Sequence, residues 1–195
     1  MCFPEATTGE YWIDPNGGQI DDKVKVFCNF TADRVETCVQ PTAQFDIVKM
    51  SEFKNNDFSQ HKWVARQSDT EKILYPVRAS QWRNLIIGMK SGHQNITYHC
   101  RNSPAHKTME GVQSDFLKLL NNKKVELQAE TKSRLEGVKV VEDGCWMNDG
   151  SWQQTVVEYS TKDLNKLPLR DIAVRGSGNA DESFSLTVGK VCFST

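Results

Sequence analysis

No stretch of about 18 apolar residues occurs in the 195-residue sequence, so nothing in it reads as a membrane-spanning helix. An excess of one charge is also missing. Lys and Arg total 24 against 25 Asp and Glu, a formal net charge of −1, which excludes a basic footprint for nucleic acid or an anionic membrane. The six cysteines form no C-x-x-C pair, which argues against a zinc ribbon or a thioredoxin-type redox site. The four histidines, His61, His93, His99 and His106, lack H-x3-H spacing. A G-x-S-x-G elbow is absent, and "RGSGNADES" (175–183) has a GxG without the rest of a phosphate-binding fingerprint, so it reads as a loop. No acid pair stands out for glycoside chemistry. His99 and Cys100 are neighbours in a strand-like run, where adjacent side chains point to opposite faces, so they make no catalytic pair. We therefore expect no catalysis. Internal repeats, low-complexity runs and a cleavable signal after Met1 are missing too. We read the chain as a piece cut from a longer protein, with Met1 an added start.

What is present suits one globular, rather polar domain: 38% hydrophobic and 25% charged residues. Most of the patterning is strand-like. "KVKVFCNF" (23–30) alternates through Val26, and "NITYHC" (95–100) puts Ile96, Tyr98 and Cys100 on one face. "VELQAE" (125–130), "GVKVVE" (137–142), "TVVEYS" (155–160) and "SFSLTVGKVCF" (183–193) read the same way. Two segments predict helices. "ASQWRNLIIGMKSG" (79–92) spaces Trp82, Leu85, Ile86 and Met89 on one face, and "EGVQSDFLKLLNNK" (110–123) offers Val112, Phe116, Leu119 and Leu120. The polar stretch 54–72 reads as a long surface connection. Interleaved strands and helices predict an α+β domain with a mainly antiparallel sheet. Trp12, Trp146 and Trp152, with Tyr11 and Phe27, are expected in the core or at an interface.

Cys2, Cys28, Cys38, Cys100, Cys145 and Cys192 are widely spaced, as disulfide cysteines are. Two sequons, at Asn29 and Asn95, point with them to a secreted, oxidised protein. Asn29 follows Cys28 in a strand-like run, where its sequon is open to burial. Asn95 stands where a polar strand edge tolerates a glycan. The run "YWIDPNGGQIDD" (11–22) crowds Asp14, Asn16, Asp21 and Asp22 around Gly17 and Gly18. Hard oxygen donors of this kind suit calcium, although Lys25 stands where an EF-hand needs a bidentate Glu. D-P-N-G-G is equally ordinary turn chemistry, and the residues alone leave both readings open.

"CFPEATTGEYWIDPNGG", "VKVFCNFTADRVETC", "QNITYHC", "DGCWMNDGSW" and the terminal "VGKVCFS", in this order from Cys2 to the end, resemble the carboxyl-terminal propeptide of fibrillar collagens. Divergent sequence lies around 41–92 and 102–140. The resemblance implies a fibrinogen C-terminal-like fold covering residues 1–195, an upstream coiled-coil stalk outside this chain, and collagenous repeats further upstream. It implies a secreted module that passes through the endoplasmic reticulum to the extracellular matrix. In the secretory pathway it would select and trimerise procollagen chains as homotrimers, with heterotrimers open, and be released by a proteinase acting upstream. Its calcium loop falls on the side chains of Asp14, Asn16 and Asp22 and the carbonyls of Gly17 and Gln19, with Asp21 extra. Chain selection falls partly on a variable stretch, by position about Lys72–Ser80.

The family pairs Cys38 with Cys192 and Cys100 with Cys145, and glycosylates the position of Asn95. Members also use the Cys2 position for an interchain bridge to a loop cysteine, where this chain has Gln19, and close the Cys28 position with an upstream cysteine. Both partners are missing here. We therefore expect Cys2 and Cys28 to bridge within one chain, and the trimer to lack interchain disulfides. A secreted calcium-dependent recognition domain, fibrinogen-like or lectin-like, is the alternative.

Overall fold

In the computed structural model, described for residues 2, 6–18, 22–32, 34–42, 48–49, 60–67, 73–109, 111, 115–128, 136–177 and 181–195, the chain is α+β and mostly antiparallel sheet. Along it run β1 (Gly9–Ile13), β2 (Val24–Phe30), β3 (Val35–Val39), β4 (Val48–Lys49), β5 (Lys62–Trp63), α1 (Val64–Gln67), α2 (Ala79–Ile86), β6 (Ser91–Arg101), β7 (Leu117–Leu120), β8 (Glu126–Gln128), β9 (Glu136–Asp143), β10 (Gln153–Thr161), β11 (Asp171–Val174) and β12 (Ser183–Ser194). The larger sheet has the order β1-β2-β3-β12-β6-β10-β9, with β4 also on β12. The smaller sheet is β5-β11-β7-β8.

Alternation explains the centre of the larger sheet. In β6, Gly92, Gln94, Ile96, Tyr98 and Cys100 are buried while the residues between them are only partly covered. Its neighbours present Phe184, Leu186 and Val188 from β12 and Val157 and Tyr159 from β10 to the same core. Tyr98 stacks on Phe184 with centroids 5.3 Å apart, and its buried hydroxyl shares a 2.6 Å hydrogen bond with Ser103. The smaller sheet and the turn before it add Leu119, Ile172 and Leu169 to this core. Gly92 sits where no side chain fits, since a Cβ there would lie 2.8 Å from Leu167 Cδ1.

Two expectations need correction. Within the helix expected over 110–123, Leu117–Leu120 form the strand β7 instead. Leu117 and Leu119 are buried with Lys118 between them half-buried, a two-residue period, and β7 bonds to β11 on one side and β8 on the other. The Leu-Lys-Leu-Leu spacing serves helix and strand alike, and the partner strands decide it; Val112 lies outside the described residues. The stretch 54–72 is not wholly a surface connection: β5 pairs with β11, and Val64 is buried. Of the two places expected for Trp12, Trp146 and Trp152, core or interface, exposures of 62%, 43% and 47% remove the core. The helix read over 79–92 forms as α2, which stops at Ile86 and turns at Gly88, where φ is +78°.

All six cysteines are joined within the chain. Cys38 and Cys192 face each other across β3 and β12, with Cα atoms 4.0 Å apart. Cys100 bridges to Cys145 (5.9 Å), tying β6 to the loop before β10, and Cys2 bridges to Cys28 (5.6 Å) on β2.

Candidate metal centre

The hairpin β1–β2 ends with Ile13 opposite Val24, so residues 14–23 form its loop at the outer edge of the larger sheet. Asp14 starts the turn. Its Oδ1 accepts the backbone N–H of Asn16 at 3.1 Å and of Gly17 at 3.0 Å, the local bonding that makes Asp a turn former. Gly17 has φ +67°, a left-handed conformation that glycine adopts without a Cβ penalty. The chain then returns so that Asn16 Nδ2 donates to Asp22 Oδ2 at 2.7 Å.

The second carboxylate oxygen, Asp22 Oδ1, is enclosed and takes no hydrogen bond. A buried carboxylate oxygen without a partner is costly. Two carboxylates, a side-chain amide and a glycine-freed backbone make a donor set of hard oxygens, the kind that fits calcium. Asp14, Asn16, Gly17 and Asp22 therefore converge on one short loop; Gln19 and Asp21 lie outside the described residues. Another cluster, of Glu36, Cys38 and Cys192, puts three ligand-type atoms within 4.8 Å of one another. Both sulfurs belong to a disulfide, so that cluster has no thiolate to offer a metal.

Gln81 was missed by sequence reasoning. Its side-chain oxygen accepts the Arg78 N–H at 2.8 Å, capping α2, and its amide nitrogen donates to the backbone carbonyl of Asp22. One buried side chain thus ties the acidic loop to the helix that follows residues 73–78. The usual cue is a Ser or Thr at the N-cap three residues before Gln; here Arg78 takes that place, which hides the signal. Ile73, Leu74, Tyr75 and Val77 line a cleft of about 660 Å³ with Trp82, Arg83 and Arg170. Next to the loop, Trp12 stands exposed with Lys23 Nζ 5.4 Å from its ring centroid. Half-buried Tyr11 gives its hydroxyl to Thr7 O at 2.7 Å, and Lys190 Nζ lies 3.5 Å from the Phe27 ring.

The two sequons differ. Asn29 Nδ2 donates to the buried carboxylate of Glu36 at 2.9 Å, so the nitrogen that would carry a sugar is already engaged between β2 and β3. Asn95 is on the partly exposed face of β6, together with Thr97 of its own sequon. No helix among the described residues is long and apolar enough to cross a membrane.

The family model of the fibrillar collagen C-terminal domain matches residues 1–193. Over 99% of its length the chain is 38% identical to the collagen alpha-1(II) chain of Gallus gallus and 35% identical to the collagen alpha-2(I) chain of Oncorhynchus mykiss. It is also 36% identical to the collagen alpha-1(I) chain of Gallus gallus over the same share. It spans 23%, 15% and 14% of the lengths of these three relatives. The three relatives are collagen chains, and with its whole length matched the chain belongs to the fibrillar collagen C-terminal domain family.

Proposed function

We propose that this domain is a calcium-stabilised trimerisation and chain-association module of a fibrillar procollagen, with a fibrinogen-like fold and no catalytic role. On this reading it acts in the secretory pathway and the extracellular matrix, nucleating the triple helix of identical chains, and a proteinase cuts upstream of it. The observation that carries the reading is the enclosed, unpartnered Asp22 Oδ1 in a loop of hard oxygen donors. Side chains of Asp14, Asn16 and Asp22 would hold the ion, with carbonyls of Gly17 and Gln19. A cation cancels the repulsion between the carboxylates and takes the amide oxygen of Asn16 in place of its nitrogen. The ordered loop then presents Trp12 to a neighbouring subunit with less entropy left to lose on docking.

Two features support the rest. With all six cysteines bridged internally, the subunits associate without interchain disulfides. The Gln81 bond links the metal loop to the segment that aligns with the family's chain-selection stretch, so ordering one steadies the other. Light scattering after size exclusion is the test. We expect a trimer in millimolar calcium that dissociates in excess chelator and runs as a monomer on a non-reducing denaturing gel. A particle that stays monomeric at high concentration with calcium would overturn the reading. A calcium-dependent recognition domain would instead keep its oligomeric state under chelator and lose ligand binding.

A further inference from the structure

Across the outer face of the larger sheet runs a cleft of about 700 Å³, lined by Trp152, Glu142, Gln154, His99 and Thr187 among others. These residues come from β9, β10, β6, β12 and the loop before β10. Gln154 donates to Glu142 at 3.0 Å and His99 Nε2 pairs with Thr187 Oγ1 at 2.9 Å, which fixes the wall. At one end Trp152 is 47% exposed. An open aromatic plate beside fixed amide, hydroxyl and carboxylate groups suits a ligand with apolar C–H faces and many hydroxyls. Neither Lys nor Arg lines the cleft and one carboxylate does, so the favoured saccharide is neutral rather than sulfated or acidic.

The source of such a saccharide is on the same strand. Asn95, Thr97 and His99 share one face of β6, and Thr97 lies opposite Thr187 and His99 opposite Gln154. At about 3.3 Å per residue the cleft begins about 7 Å from Asn95 and ends at Trp152 about 20 Å away, within reach of the core sugars of an N-glycan. The Asn95 side-chain oxygen is enclosed without a hydrogen-bond partner, and Gly189 packs against the Asn95 backbone, where a Cβ would lie 2.7 Å from Asn95 O. We propose that this cleft is the docking site of a neutral N-linked glycan carried by Asn95 of the same chain. The proposal rests on reading Asn95 as glycosylated. Tethering holds the sugar at millimolar effective concentration, so each contact can be weak.

The test uses the protein secreted by mammalian cells. Mass spectrometry of the Asn95 peptide comes first, and an empty site overturns both readings. On glycosylated protein, we measure the rate at which an endoglycosidase cuts between the two core N-acetylglucosamines, before and after Trp152→Ala and, separately, Glu142→Ala. Both side chains are exposed, and near-UV circular dichroism with intact disulfides confirms folding. A glycan docked about four-fifths of the time is cut about fivefold more slowly than a free one, so Trp152→Ala is expected to speed the cut about fivefold and Glu142→Ala by less. Equal rates in all three proteins overturn docking while leaving glycosylation intact. Micromolar binding of released oligomannose to Asn95→Gln protein would mean that the cleft serves a diffusible glycan, and dissociation of the trimer by Trp152→Ala that it is a subunit contact; either overturns the proposal.

Discussion

The middle and the edge of the larger sheet are built differently. Around β6, every other side chain is buried, Tyr98 and Phe184 stack, and two disulfides close the neighbourhood. At the β1–β2 hairpin loop there are short-range turn bonds, a surface ion pair, one long-range tie from Gln81 to the Asp22 carbonyl, an exposed Trp12 and the unpartnered oxygen of Asp22. The middle is closed mainly by its own apolar packing. On the proposed reading an ion and then a neighbouring surface complete the edge, which would separate structural from functional residues along one sheet.

That contrast breaks most visibly in the middle. Phe184→Ala removes a fully buried ring from the core and is expected to cost about 3–5 kcal/mol in urea unfolding, with calcium unable to restore it. A loss below about 1 kcal/mol would mean that the centre is not the self-sufficient part. At the edge the expected effect is smaller and conditional. An ion at one hundred times its Kd stabilises a folded state by about 2.7 kcal/mol. Calcium titration should therefore raise the melting temperature of the wild type and leave Asp22→Asn unmoved. Hydrogen exchange should slow in residues 14–24 far more than in β6.

How far the sequence carries the reader follows the same division. Alternation made β2, β6, β10 and the first half of β12 legible, because each has one buried face and a period of two there. The four-residue strand β7 was not legible, since its leucines fit either period and only the contact with β11 settles them. β5 and α1 were hidden because Lys62–Gln67 is too short to show any period. Alternating apolar residues also say nothing of Trp12, Trp146 and Trp152, for which core and interface both stayed open until their exposure removed the core. The loop donors Asp14, Asn16 and Asp22 could be picked out by type. Gln81 could not, because its link to Asp22 crosses 59 residues. Cysteine spacing left the pairing open, as six cysteines allow fifteen connectivities.

Gln81 gives a finer test of the edge. Gln81→Ala removes a helix cap and leaves the Asp22 carbonyl without its donor, which is expected to cost about 1–3 kcal/mol. Gln81→Glu keeps the oxygen that caps Arg78 N but presents no amide to Asp22. If the link matters to the loop, both variants weaken calcium affinity by isothermal titration, whereas a helix-only role leaves Gln81→Glu near wild type.

The smallest effect belongs to the ion pair outside the loop. Glu10 and Lys25 meet at 2.8 Å across β1 and β2. The hydrogen bond and charge of Lys25 hold the Glu10 carboxyl below its ordinary value of 4.5. A carboxylate whose folded pKa is depressed adds stability above its unfolded pKa and loses it as pH falls through the folded value. Both groups are solvent-exposed, so screening leaves little of the interaction. Glu10→Gln should lower the urea midpoint slightly at about pH 6, and the difference should shrink as pH falls below 4.5 and through the lowered folded value, where the carboxyl becomes neutral. A large loss at pH 6 would contradict the division drawn here, because it would place stabilising weight on a part of the edge that neither an ion nor a neighbour completes.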